Sequence, residues 1–129
     1  MNTKRNPVGW FEIYVQNMER AKTFYQSILQ ITLEELPTPD PDFEMWVFPG
    51  MGCENQHGCS GALCKMKDKD SGIGGTIVYF SCEDCGETEV RATDVGGKIH
   101  LSKMSIGEYG HISLIVDPDG NMIGLHSMK

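Results

Sequence analysis

Asp117-Pro118-Asp119-Gly120-Asn121-Met122-Ile123-Gly124-Leu125-His126-Ser127 is the stretch whose reading decides the fold. Asp117–Gly120 is strong turn chemistry. Proline fixes φ, glycine accepts φ > 0, and Asp side chains bond nearby backbone. The run His111–Val116 before it and Met122–His126 after it read as strands. The C-terminal end of the sequence is therefore a hairpin, and its last strand belongs to the sheet.

The composition narrows the field. A chain of 129 residues suggests one domain, 1–129, and 40% hydrophobic content supports a core. A net charge of −7 disfavours nucleic acid and anionic membrane as partners, since both select clustered Lys and Arg. No apolar run is long enough to span a bilayer. The opening MNTKRNPVG lacks the apolar centre of a secretory signal, so the expected location is cytoplasmic. Five cysteines, an odd number without an export signal, are expected to be reduced.

Working back from the hairpin, two similar patterns emerge. Trp10–Val15 reads as a strand, with Trp10, Glu12 and Tyr14 on one face. Asn17 follows as a helix N-cap. Met18, Ala21, Phe24, Tyr25, Ile28 and Leu29 then recur at helical spacing to about Gln30. Strands are predicted at Ile31–Leu36, Phe43–Phe48 and Ser60–Met66, with a proline-broken loop at 37–42. Lys67–Gly75 is a polar, glycine-rich linker. The pattern restarts with a strand at Thr76–Cys82, a cap at Asp84, a helix over Glu87–Val95 closed by Gly96-Gly97, and three more strands from Lys98, His111 and Met122. Trp10 falls on Ile77, Asn17 on Asp84, and Gly61 on Gly124. The expected architecture is α+β: two βαβββ modules, about 8–66 and 75–128, forming a curled mixed sheet around a cavity.

WFEI with NMERAKTFY at Asn17–Tyr25, then GGTIVYFSCED at Gly74–Asp84, GGKI at Gly96–Ile99 and the closing DPDGNMIGLHS resemble, in this order, the glyoxalase / bleomycin resistance / extradiol dioxygenase superfamily, the vicinal oxygen chelate fold. The resemblance covers nearly the whole chain and implies paired modules assembled as a homodimer. In metal-dependent members His, Glu or Gln ligands come from the first and last strand of each module. Carried over by position, those slots are Trp10, Gly61, Ile77 and Gly124, none with a suitable side-chain donor. A divalent ion could instead sit on a shifted site of Glu12 and His126, with Tyr79 and His111 as candidate additions. Alternatively Glu12 and His126 bond each other or water, or work as an acid–base pair.

The sequence thus supports a protein that binds a small organic molecule in a cavity lined by Trp10, Tyr14, Trp46 and Tyr79, without a cofactor. The competing reading is a metal-dependent lyase, isomerase or dioxygenase with Glu12, His126 and His111 as catalytic groups. Three further motifs are weaker. Cys53, His57, Cys59 and Cys64 are zinc-type donors at no standard spacing. Cys82-x-x-Cys85 has redox form but sits toward the core. His100 is expected on an exposed face. Gly72-Ile73-Gly74-Gly75 precedes a strand and is not a dinucleotide motif.

Overall fold

The computed structural model describes residues 6–51 and 58–129. Eight strands and two α-helices follow one another as two βαβββ runs, giving a mixed, α+β architecture. They fall into two compact units: Trp10–Thr76, and Ile77–Lys129 together with residues 6–9.

The first unit holds β1 (Val8–Tyr14) from Trp10 on, α1 (Met18–Leu29), β2 (Glu34–Glu35), β3 (Phe43–Val47) and β4 (Ser60–Met66). Its strand order is β2-β3-β4-β1, with β1 and β4 parallel and the other pairs antiparallel. Asn17 caps α1 by accepting the Arg20 amide, at 3.0 Å, through its side chain. At the other end Gln30 takes a left-handed conformation, φ 55°, and its amide bonds Gln26. The stretch expected as a strand over Ile31–Leu36 forms one only over Glu34–Glu35, and the Leu36 amide adds a bond to the Met45 carbonyl at 3.0 Å. The Leu33 amide is taken by the Gln26 side chain, and Pro37 has no amide to extend the ladder.

One face of this sheet carries α1. Met18, Leu33 and Leu63 are buried there, with Ile13, Val15, Ala21, Tyr25, Trp46 and Phe48 packed around them. Leu63 is fully buried, so its truncation to alanine costs about 2–5 kcal/mol. The other face is free of helix. Because side chains alternate along a strand, it receives Trp10, Glu12 and Tyr14 from β1, Ala62 and Cys64 from β4, and Met45 and Val47 from β3.

The second unit holds β5 (Thr76–Ser81), α2 (Cys85–Asp94), β6 (Lys98–Ser105), a short 3₁₀ turn at Gly107–Tyr109, β7 (His111–Val116) and β8 (Met122–Ser127), in the order β5-β8-β7-β6. Asp84 caps α2 as Asn17 caps α1. The helix starts two residues before the expected Glu87, because Cys85 and Gly86 already follow the cap. Cys85, Ile115 and Leu125 are buried under α2, with Phe80, Cys82, Ala92 and Ile123 against them. The closing hairpin forms as expected: the Asp117 carboxylate accepts the amides of Asp119 and Asn121, each at 2.9 Å, across the turn.

The ladder between β6 and β7 slips twice, between Ile99 and Leu101 and between Leu101 and Met104. Such irregularities free backbone groups that need other partners. Glu89 of α2 supplies them, accepting the Lys103 amide at 2.8 Å and the Ser102 hydroxyl at 2.6 Å. Among the described residues no helix is long and apolar enough to cross a membrane.

Candidate functional site

The period of two along β1 sets Trp10, Glu12 and Tyr14 side by side on the helix-free face. Glu12 is 7% exposed, a burial that costs a carboxylate heavily unless donors replace water. Two neighbours on its own strand do so. The Trp10 indole Nε1 donates to Oε2 at 3.1 Å, and the Tyr14 hydroxyl donates to Oε1 at 2.9 Å. Across the sheet Ala62 stands opposite Glu12, and Cys64 opposite Tyr14. Burial pushes the Cys64 thiol far above its ordinary pKa, and the charge of Glu12 adds to the shift. The Lys69 ammonium lies 5.1 Å from the Tyr14 ring centre, within cation–π range. The result is an oriented, poorly solvated acceptor between two aromatic side chains. It is suited to a hydrogen-bond donor or a proton from a ligand.

In the second unit Ile77 and Tyr79 of β5 face away from α2. Gly124 pairs with Tyr79 and His126 with Ser81. A Cβ on Gly124 would overlap the Tyr79 ring, so the ring occupies the space of the missing side chain. His126 Nε2 is 2.6 Å from the Tyr109 carbonyl, a bond in which the protonated nitrogen donates.

Two of the residues expected at the site face the other way. Trp46 pairs with Leu63 and belongs to the α1 side, where the Lys22 ammonium sits 3.4 Å from its ring centre and its indole donates to Glu44 at 2.8 Å. His111 pairs with Ser127, one step along β7 from the Ile112–His126 pair, and so lies on the opposite face from His126. Its Nδ1 is buried without a hydrogen-bond partner among the described residues. The structure therefore groups Trp10, Glu12 and Tyr14 in one unit, sets Tyr79 and His126 on the helix-free face of the other, and leaves Trp46 and His111 on helix-bearing faces.

The weaker motifs resolve as follows. Cys53 and His57 lie outside the described residues. Cys64 is buried in β4, and Cys82 and Cys85 pack under α2. Burial raises the Cys82 thiol, the wrong direction for a reactive thiolate. His100 is exposed, as expected. Among the described residues no three His, Cys, Asp or Glu side chains are grouped to hold a metal ion. Cys64 is the neighbour of Glu12 that sequence reading missed, because the pairing of β1 with β4 spans a long loop.

A family model for the Glyoxalase/Bleomycin resistance protein/Dioxygenase superfamily matches residues 8–125. The chain belongs to that superfamily. No curated protein matches the sequence significantly. Solved structures share the fold at low identity. Methylmalonyl-CoA epimerase from Mycobacterium tuberculosis is 17% identical, with 95% of this chain and 88% of that one covered and a TM-score of 0.66. A hypothetical protein from Bacillus halodurans C-125 is 13% identical, with 98% and 96% covered and a TM-score of 0.70. Streptomyces coelicolor methylmalonyl-CoA epimerase in complex with 2-nitronate-propionyl-CoA is 13% identical, with 94% and 96% covered and a TM-score of 0.67.

The glyoxalase-superfamily metal slots can now be placed by register. With the caps Asn17 and Asp84 aligned, Glu12 corresponds to Tyr79. Ala62 is the partner of Glu12 and Gly124 the partner of Tyr79. The counterpart of Gly124 is therefore Ala62, and the placement of Gly61 is corrected by one residue. Gly61 pairs with Phe11 on the α1 side, where the Phe11 ring fills its space. One residue of slip moves a side chain to the other face. The slots become Trp10, Ala62, Ile77 and Gly124, none of which offers a metal a suitable donor. At Gly124 the Tyr79 ring also denies the room a ligating side chain needs. These residues do not fit the metal site of the superfamily.

Proposed function

We propose that this glyoxalase-superfamily protein binds a small organic molecule on the helix-free face of its first unit, without a metal in the superfamily's slots. The observation that carries this reading is the buried Glu12 carboxylate, oriented by the Trp10 indole and the Tyr14 hydroxyl. Ligand sites are mostly apolar with a few placed polar groups. Trp10, Tyr14, Ala62, Met45 and Val47 supply the apolar surface, and Glu12 is the polar anchor. The favoured ligand presents an aromatic or aliphatic body and a donor group, such as an amine or hydroxyl, to the carboxylate. The protein acts in solution as a homodimer, a state that light scattering on purified protein tests directly.

The experiment is a saturation-transfer NMR screen in EDTA with three probes: benzylamine, p-cresol and toluene. Benzylamine and p-cresol bind the wild type, toluene binds more weakly, and Glu12→Gln removes the preference for the donors. Equal binding of all three, unchanged in Glu12→Gln, refutes the assignment of Glu12.

An enzyme is the second reading, with epimerases among the proteins that share the fold, and a metal-dependent one is its sharpest form. It would use Glu12 and His126 on a shifted site. Against it, His126 Nε2 already bonds the Tyr109 carbonyl.

A further inference from the structure

The first unit contains a cleft of about 350 Å³ beyond the end of β1, within the size range of small-molecule sites. Tyr14, Arg20, Tyr25, Ser71 and Thr76 are among the residues that line it. The rim is fixed by backbone bonds. The Tyr14 amide donates to the Gly75 carbonyl at 2.7 Å, and the Gly75 amide closes a turn onto Gly72 at 2.8 Å. Gly72 and Gly74 both adopt φ 84°, which glycine accepts without strain.

The charge at this cleft is unusual for the molecule. The chain as a whole carries −7, yet Arg20 lines this cleft with no acidic residue beside it in the lining. Among the described residues the Arg20 guanidinium has no hydrogen-bond or ion-pair partner. Among the described residues the Lys69 ammonium, which lies over the Tyr14 ring, forms no ion pair, although Asp68 and Asp70 flank it in sequence. Its segment is held in place by the Gln16 side chain, which donates to the Lys69 carbonyl at 3.1 Å. The helix end does not supply this charge, since the Arg20 amide is already bonded to Asn17. It comes from the Arg20 side chain.

We propose that this cleft is a binding site for a small oxyanion group, carboxylate or phosphate, with Arg20 as the bidentate anchor. A planar guanidinium matches either group, and Tyr25 in the lining suits an aromatic or planar body attached to it. The site is separate from the face that presents Glu12, and Tyr14 is the residue common to both.

The test is a titration of ¹⁵N-labelled protein with inorganic phosphate and with benzoate, each against sodium chloride at equal ionic strength. The expected result is a saturable shift of the Ser71, Gly72, Gly75 and Thr76 amides and of Arg20 Nε with at least one of the two anions. Benzoate binding more tightly than phosphate marks a carboxylate site with an aromatic body, and the reverse marks a phosphate site. Arg20→Gln weakens binding at least tenfold and Arg20→Lys less, with thermal stability unchanged. Shifts reproduced by chloride alone, or binding unchanged in Arg20→Gln, overturn the proposal. Because Glu12→Gln leaves this binding intact, failure here is distinguishable from failure of the Glu12 assignment.

Discussion

The Tyr79 ring lies across Gly124, its direct partner on the neighbouring strand, and fills the space a side chain would take. Both residues are buried in a sheet with no slack nearby. Adding even one methyl forces the ring off its rotamer or the strands apart. Gly124→Ala therefore destabilises by about 1–3 kcal/mol. Urea denaturation measures it, and Tyr79→Ala in the same background makes the glycine substitution nearly neutral. A full cost retained in the double variant would show that the ring is not the obstacle.

Tyr14→Phe and Trp10→Phe each delete one donor to Glu12 while keeping the ring. Hydrogen bonds to a buried charge are worth about 1.5–3 kcal/mol, so each variant loses stability in that range. Combined with Glu12→Leu, the effects fall well short of additive, because the acceptor is gone. Additive losses in a double-mutant cycle would mean that the rings act by packing alone.

Glu89 ties α2 to the irregular part of β6. Burial works to raise its pKa, but bonds from the Ser102 and Ser113 hydroxyls and the Lys103 amide outweigh it and hold the carboxyl below its ordinary value of 4.5. A depressed folded pKa means that the unfolded state takes up its proton first as pH falls. The stabilisation is complete above the ordinary value and is lost as pH drops through the folded pKa. Wild-type protein therefore loses stability below about pH 4.5 more steeply than Glu89→Gln does, as denaturation midpoints across pH 3–6 report. Parallel pH profiles would count against the network.

Cys64 is fully buried, and its thiol is raised by burial and by Glu12. Iodoacetamide at pH 8 modifies Cys64 no faster than the protein unfolds, whereas the partly exposed Cys59 reacts in the native state. Peptide mapping by mass spectrometry distinguishes the two. Fast native labelling of Cys64 would place it in solvent.

How far the sequence carried depends on the kind of signal. Both helices were legible because each begins at a capping side chain, Asn17 or Asp84, and α1 keeps apolar residues at helical spacing. The C-terminal hairpin was legible from its turn residues. Faces within a strand followed from alternation, so Trp10, Glu12 and Tyr14 were grouped correctly. Pairing across long loops was not legible. The approach to β4 passes through Pro49–Cys59, which carries no periodic signal, and the register slipped by one onto Gly61. The start of β7 was misread in the same way, since the face His111 takes is set by its pairing with Ser127. Trp46 carried an ambiguity of type: an aromatic in a strand suits a core and a ligand wall equally, and the Leu63 pairing decides it. The cleft at Arg20 depends on the fold of a glycine-rich linker, which composition does not specify.

The central claim is that this superfamily member recognises its ligand through Glu12 and not through a metal in the slots Trp10, Ala62, Ile77 and Gly124. The most direct test is elemental analysis of tag-free protein after dialysis against zinc, nickel, manganese or ferrous iron and removal of unbound ion. The account predicts far less than one ion per chain for every metal. One ion per chain, lost in Glu12→Ala and in His126→Ala, would contradict it and establish the shifted metal site.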